Sequence, residues 1–282
     1  MSTPKTQIAS ADPYAWPHDA SLSPSTTALI IIDMQRDCTP PSSPPQPNPI
    51  PLQPAHQPPV CSPGGYLSAQ GYSIAPTLAI IPTIQLLLSA FRRARFPVYH
   101  TREGHRADLS TASPRELFRS RLASPSSTTT TAESGPAPAS GIGAPGPLGR
   151  LLIRGEAGHD IVPELSPLPT EPVIDKPGRG AFVHTELEAM LRARGVRNLV
   201  VCGVTTDACV SSTVREASDR GFDVAVVGDA CAAVEEGLHV WALRSVVVEG
   251  GLLGVVVGSE EVRGVVEEWT GEGEGKVGAE GA

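Results

Sequence analysis

Along the chain, short runs of β-branched and other apolar residues alternate with longer stretches whose apolar positions recur at helical spacing. Six runs read as strands: residues 28–32, 97–100, 172–174, 199–202, 224–227 and 253–257, each flanked by Gly, Pro or Asp. The first is apolar throughout, the signature of a strand buried on both faces. Helical patterns lie between them: one ending near Arg95, then about 184–194, 207–220 and 234–248. Repeated βαβ order predicts an α/β fold in which a six-stranded, mostly parallel sheet carries helices on both faces.

Composition modifies this picture locally. The 282 residues include 28 glycines and 29 prolines, well above average usage, and the excess is concentrated. Residues 39–63 hold eleven prolines and read as a mobile surface insertion; residues 122–146, rich in Ser, Thr, Pro, Ala and Gly, read as a second. Residues 1–24 and the Gly/Glu stretch 271–282 read as flexible tails around one domain over 25–270. The most apolar segment, 246–257, is interrupted by Glu249 and three glycines, so no membrane span is expected. A formal charge of -8 with no basic cluster argues against nucleic acid or an anionic membrane as partner. The N-terminus does not read as a secretory signal, and the expected address is cytoplasmic.

In parallel α/β sheets, sites form beyond the carboxyl ends of the strands. The residues there are Asp33 to Asp37, Thr101 to His105, Asp175 with Lys176, and Thr205 to Cys209. Lys176 stands out because the chain has three lysines against nineteen arginines and the other two lie in the tails, so a compact ammonium is wanted at this position. Cys209 falls in the first turn of a helix, where free amides and the helix dipole favour a thiolate. Asp33 ends an otherwise apolar strand, as a helix cap or as a base. Nucleophile, base and cation are the parts needed for amide hydrolysis through a thioester. A Cys-His pair using His105 is the competing arrangement. Cys202 and Cys231 read as buried small hydrophobes, and Asp207 as a helix cap.

The stretches LIIIDMQRD (29–37), HTREGH (100–105), GPLGRLLIRGEAGHDIVPEL (146–165), VIDKPGRGAF (173–182) and VVCGVTTDACVSSTVREASDRGF (200–222) resemble the cysteine hydrolases of the isochorismatase-like superfamily. Biuret hydrolases and related ureido-compound amidohydrolases look closest. The resemblance implies a Rossmann-like three-layer sandwich and a catalytic triad of Asp33 as base, Lys176 as electrostatic partner and Cys209 as nucleophile. It also implies a cis peptide at Val204–Thr205 and an oxyanion hole from the amides of Thr205 and Cys209. Isochorismatases proper lack the cysteine, which points this chain to C–N hydrolysis. Nicotinamidases of the superfamily carry an Asp/His/His metal site, and no matching histidine spacing follows Asp33; neither metal nor cofactor is expected.

The resemblance places Glu249 where biuret hydrolases have a glutamine. An ionised Glu only accepts hydrogen bonds, so Glu249 would favour a donor-rich urea end and penalise a carboxylate. Phe182, Arg102 and Arg179 are the further substrate-binding candidates. Cys38 stands where an aromatic is usual, and a Cys38–Cys209 redox pair is a third possibility. The expected partners are a small ureido or amide substrate, biuret-like or N-carbamoyl, and a second copy of the chain in a dimer or tetramer. A non-hydrolytic binding or scaffold protein that kept the fold is the alternative function.

Overall fold

The computed structural model describes residues 4–37, 65–122 and 141–269. In chain order it contains β1 (Thr27–Ile32), α1 (Tyr66–Ala69), α2 (Ala75–Ala79), α3 (Ile81–Arg93), β2 (Val98–Glu103) and α4 (Pro114–Ser120). A two-residue hairpin, β3 (Pro145–Gly146) and β4 (Gly149–Arg150), precedes β5 (Val173–Lys176), α5 (Leu187–Ala193) and β6 (Asn198–Val204). Next come a π-helical turn, Thr206–Val210, then α6 (Ser211–Asp219), β7 (Asp223–Ala232), α7 (Glu236–Gly251), β8 (Val255–Val257) and α8 (Ser259–Glu267).

All six expected strands form one sheet in the order β5-β2-β1-β6-β7-β8, and every neighbouring pair is parallel. Every residue of β1 and of β6 is buried, as central strands covered by helices on both faces must be. Helix α3 buries Ile81, Ile84, Leu87, Leu88 and Phe91, a three-and-four spacing that turns one stripe to the core. The segment Ala75–Arg93 is long and apolar enough to cross a membrane, but that stripe is packed in the main core cluster. The chain proceeds from β1 to β2 and β5 on one side, then returns to β6, β7 and β8 on the other. The strand order therefore reverses at β1, which puts the crevice of a doubly wound sheet beside its carboxyl end. At that end Gly203 has φ 115°, and a Cβ there would lie 2.1 Å from the Ile32 carbonyl oxygen. Only glycine lets β6 approach β1 so closely.

The N-terminal stretch is not a flexible tail. Ile8, Trp16 and Leu22 are each at most 1% exposed and belong to the main core. Residues Ile8 and Trp16 pair antiparallel, and the Asp12 backbone exchanges two hydrogen bonds with Val256 of β8, at 3.1 and 2.9 Å. Three isolated apolar side chains with no period do this, which is why composition undervalues the segment. Trp16→Ala is expected to lower unfolding stability by about 3–5 kcal/mol in chemical denaturation, the usual cost of emptying a large buried site. A loss under 1 kcal/mol would mean that the segment is a dispensable appendage.

The expected second insertion is also too long at its end. Gly141 to Gly146 are part of the fold, with Ile142 buried beside Leu152 and Ile153 in a small satellite cluster. The proline-rich insertion 39–63, the tail 271–282, Cys38 and Cys61 lie outside the described residues.

Candidate active site

The sheet brings four chemical groups to one place, each from a different strand end. Asp33 follows β1 in a left-handed backbone conformation, φ 49°. Its Oδ1 accepts a 2.7 Å hydrogen bond from the Thr101 hydroxyl of β2, and its Oδ2 lies 2.7 Å from Lys176 Nζ. Lys176 ends β5, has a fully buried side chain, and also donates to the Gly178 carbonyl at 2.7 Å. Cys209, a free thiol in the turn after β6, donates to Glu103 Oε2 at 3.2 Å. Glu103 ends β2 and stands 3.6 Å from Lys176 Nζ. The peptide between Val204 and Thr205 is cis.

These groups close one end of a cavity of about 430 Å3. Asp33, Glu103, Thr205, Asp207 and Cys209 line it on the sheet side; Tyr66, Gln70, Arg119 and Arg179 line it elsewhere, with Tyr72, Leu122 and Leu238 among its apolar residues. Helix α4 is set by Ser113, whose hydroxyl accepts from the Glu116 amide at 3.1 Å, and by Pro114 in its first turn. Glu116 then bonds both arginines: Arg179 Nη1 donates to Oε2 at 3.0 Å, and Arg119 Nη2 pairs with Oε1. One carboxylate thus positions two guanidinium groups at the cavity wall and leaves one net positive charge.

Burial raises the Asp33 pKa above the ordinary carboxylate range, with Glu103 adding to this and Lys176 opposing it. For Glu103 burial acts the same way, but the charges of Lys176 and Arg179 outweigh it and hold the group below that range. Burial opposes the charge on Lys176, yet Asp33, Cys209 and Glu103 overcome it and keep the ammonium protonated. The Cys209 thiol is pushed well up, by burial first and by the Asp33 and Glu103 charges, against the pull of Lys176. The low-pKa thiolate expected from the helix dipole is therefore corrected. A dipole acting over one turn does not offset the loss of water with two carboxylates nearby, and burial favours the thiol form.

Several sequence-derived candidates lie elsewhere. Glu249 is exposed and absent from the cavity wall: Val248 leaves helical geometry, Glu249 takes φ 55° and Gly250 φ 78°, so the chain turns away at the end of α7. Phe182 is buried against Phe222, centroids 5.6 Å apart, with Arg220 over its ring. Arg102 is held by Asp175 at 2.7 Å and Asp160 at 3.2 Å and does not reach the cavity. His105 is buried with Nδ1 3.3 Å from the Thr111 hydroxyl and does not line the cavity, so it does not form the expected pair with Cys209. Asp207 makes no side-chain cap, and its buried Oδ1 has no partner among the described residues. Arg179 and Thr205 do line the cavity. Sequence reasoning passed over Tyr66, Gln70, Glu116 and Arg119; the Ser-Pro-x-Glu start of a helix at 113–116 was the one signal that could have located this wall.

The Asp33, Glu103 and Cys209 ligand atoms lie within 4.8 Å of one another, a donor set suited to a cation. Lys176 Nζ, 2.7 and 3.6 Å from the two carboxylates, supplies positive charge at this place from within the chain.

Parallel topology and a crevice at the β1 switch point define the class as an α/β protein of the doubly wound kind, with a buried carboxylate-ammonium-thiol cluster in that crevice. The isochorismatase domain model matches residues 27–261, and the chain belongs to the isochorismatase family of hydrolases. It is 31% identical over 260 residues to the ureidoacrylate amidohydrolase RutB of Methylobacterium radiotolerans, covering 89% of this chain and 84% of that one. The RutB of Acinetobacter baylyi is 30% identical over 220 residues, 77% and 75% of the two chains. A cysteine hydrolase from Pseudomonas syringae pv. phaseolicola superposes with TM-score 0.64 at 24% identity, covering 95% of this chain and all of that one, and shares the fold.

Proposed function

We infer that the chain is a cysteine-dependent amidohydrolase that cleaves a C–N bond of a small ureido or amide compound through a thioester. The observation that carries this reading is the Asp33-Lys176-Cys209 cluster at the end of a cavity large enough for a compact substrate. Asp33 takes the thiol proton, and the sulfur attacks the ureido carbonyl. The amides of Thr205 and Cys209 receive the oxyanion. The intermediate collapses with the proton passing from Asp33 to the departing nitrogen, which leaves as ammonia. Water, deprotonated by Asp33, then opens the thioester and restores the thiol with release of the carbamate. Lys176 stays charged throughout and compensates Asp33 while it is ionised.

The relatives' name, ureidoacrylate amidohydrolase, and the two cavity arginines together favour an N-carbamoyl acid over biuret. Glu116 engages both Nη atoms of Arg179 and the Nε and Nη2 of Arg119, so the wall offers an acidic end net positive charge and the remaining N–H groups, and with Glu249 outside the cavity nothing on that account penalises such an end. Purified protein is therefore expected to release ammonia from ureidoacrylate and N-carbamoyl-β-alanine more efficiently than from biuret. Equal silence on all three would favour the non-hydrolytic binding role. Arg179→Gln is expected to raise KM for the acids about 10- to 100-fold, the loss of about 1.4–2.7 kcal/mol of charge-assisted bonding, with kcat within a few-fold. An unchanged KM would remove Arg179 from the substrate.

Asp33 works as a base only when ionised, and its pKa is raised. The acid limb of kcat/KM is thus expected to have its midpoint above about 4, the ordinary carboxylate value, with activity falling as pH drops through it. A profile flat down to pH 4 would exclude Asp33 as the group that titrates.

A further inference from the structure

Glu103 takes no part in the steps above, yet it accepts the hydrogen bond of the thiol at 3.2 Å, with Asp33 also beside the sulfur. Gln35 fixes its backbone from both sides, accepting from the Glu103 amide at 2.8 Å and donating to its carbonyl at 3.0 Å. The carboxylate lines the cavity with its side chain 12% exposed. The charged and titratable groups that face it come from the strands around the crevice and from α1: Asp33 after β1, Tyr66 in α1, Lys176 and Arg179 from β5 and the loop beyond, Cys209 after β6, and His105 two residues along. Asp33 Oδ1 accepts from Thr101, while Oδ2 is ion-paired with Lys176 and keeps hydrogen-bonding capacity of its own. Among the described residues Glu103 accepts one side-chain hydrogen bond, from the thiol, so it retains acceptor capacity beside the nucleophile.

We propose that Glu103 is a second carboxylate of the catalytic centre, which receives the N–H groups of the amino group about to leave and keeps Cys209 a thiol until substrate binds. This rests on the ureido reading of the site. Entering N–H donors displace the thiol from Glu103, and the freed S–H turns to Asp33, whose carboxylate lies within 4.8 Å of the sulfur. No bond forms to Glu103; the thiol proton still passes through Asp33 to the departing nitrogen. An ionised carboxylate has nothing to donate, so an end group without N–H leaves it buried and unpaired, the situation in which sites discriminate most strongly. The selectivity that the sequence assigns to Glu249 belongs to Glu103.

The test is alkylation of Cys209 by iodoacetamide, followed by peptide mass mapping across pH, in the parent protein and in Glu103→Gln. N-carbamoyl-β-alanine and N-acetyl-β-alanine serve as protecting ligands; the second replaces the amino group by a methyl. Loss of one negative charge beside the sulfur is expected to lower the alkylation midpoint by a pH unit or more. A residue with only a packing role would not move it. In the parent protein the carbamoyl compound is expected to protect at a concentration at least tenfold below the acetyl compound, and in Glu103→Gln that preference collapses. An unmoved midpoint overturns the proposal, as does equal protection by the two ligands in the parent or a preference that survives in Glu103→Gln. Equal protection leaves the ureido reading standing. Failure of both ligands to protect while the midpoint shifts sinks that reading and the amino-holding role together, and upholds the control of the thiol. Circular dichroism of Glu103→Gln checks the fold, and Glu103→Asp, which keeps the charge, is expected to restore the high midpoint.

Discussion

Cys209→Ala is expected to abolish ammonia release from ureido acids, with kcat falling at least about 10⁴-fold, in the range of lost nucleophiles in acyl-transfer enzymes. Among the described residues of the cavity wall, the thiol is the nucleophile that has both a carboxylate acceptor and a nearby ammonium. Removing its sulfur leaves the oxyanion amides and the arginine wall in place, so ligand binding should persist within a few-fold. The protein should also remain folded, since cysteine and alanine differ by one atom at a position that borders open volume. Wild-type rates in the variant, measured with ammonia detection on the same ligands, would move the chemistry to another group and end the thioester mechanism.

The second large effect is expected from Lys176→Met. The side chain is fully buried, and its ammonium compensates Asp33 at 2.7 Å and Glu103 at 3.6 Å. Methionine fills a similar volume but leaves two carboxylates in one dry site without a cation. Breaking a buried pair in this way typically costs about 3–5 kcal/mol, and the charge cluster relieves it by binding a proton. Asp33 then starts protonated and does not accept from Cys209. The variant should therefore lose turnover, and its stability deficit should shrink as the pH falls and both acids become neutral. The double variant Lys176→Met/Glu103→Gln, with one carboxylate fewer, is expected to regain part of the stability but none of the turnover. A single variant as stable as the parent at pH 8 would show that the carboxylates find other compensation.

The sheet and the three groups at the ends of β1, β5 and the turn after β6 were legible in the sequence for one physical reason. Strands buried on both faces are written as unbroken apolar runs, and polar residues that stop such runs must sit at the sheet edge. Asp33 stops the β1 run itself, Lys176 follows the Asp175 that stops the β5 run, and Cys209 lies in the turn that opens where the β6 run ends. Glu103 was visible on the same ground but stood among four polar neighbours, and only the distances separate it from Arg102, which turns to Asp175 instead. Glu249 misled because aligning a Gly-Gly pair assumes that the preceding helix delivers its last residue to the pocket, whereas the backbone leaves helical geometry one residue earlier. Arg179 was named from the sequence, but the α4 side of the arginine wall, Glu116 and Arg119, was not, because that helix has seven residues and borders the Ser/Thr-rich stretch, too short for a period to show. Ile8, Trp16 and Leu22 were missed on similar grounds, since single apolar residues among prolines and serines carry no pattern until the backbone that joins them is known.

The N-terminal segment has a consequence for how copies of this chain can meet. A strand at the rim of a sheet offers unpaired amides and carbonyls to any extended backbone, and proteins guard such rims against joining one sheet to the next. Here Asp12 bonds the Val256 amide and carbonyl on the outer side of β8, while Tyr14 OH reaches Asp223 at 3.0 Å to pin the strap in place. The chain's own beginning acts as the stopper for that rim. Assembly by continuing the sheet past β8 would first require the strap to unlatch, so joining two sheets edge to edge with the fold intact is left to the opposite rim, at β5.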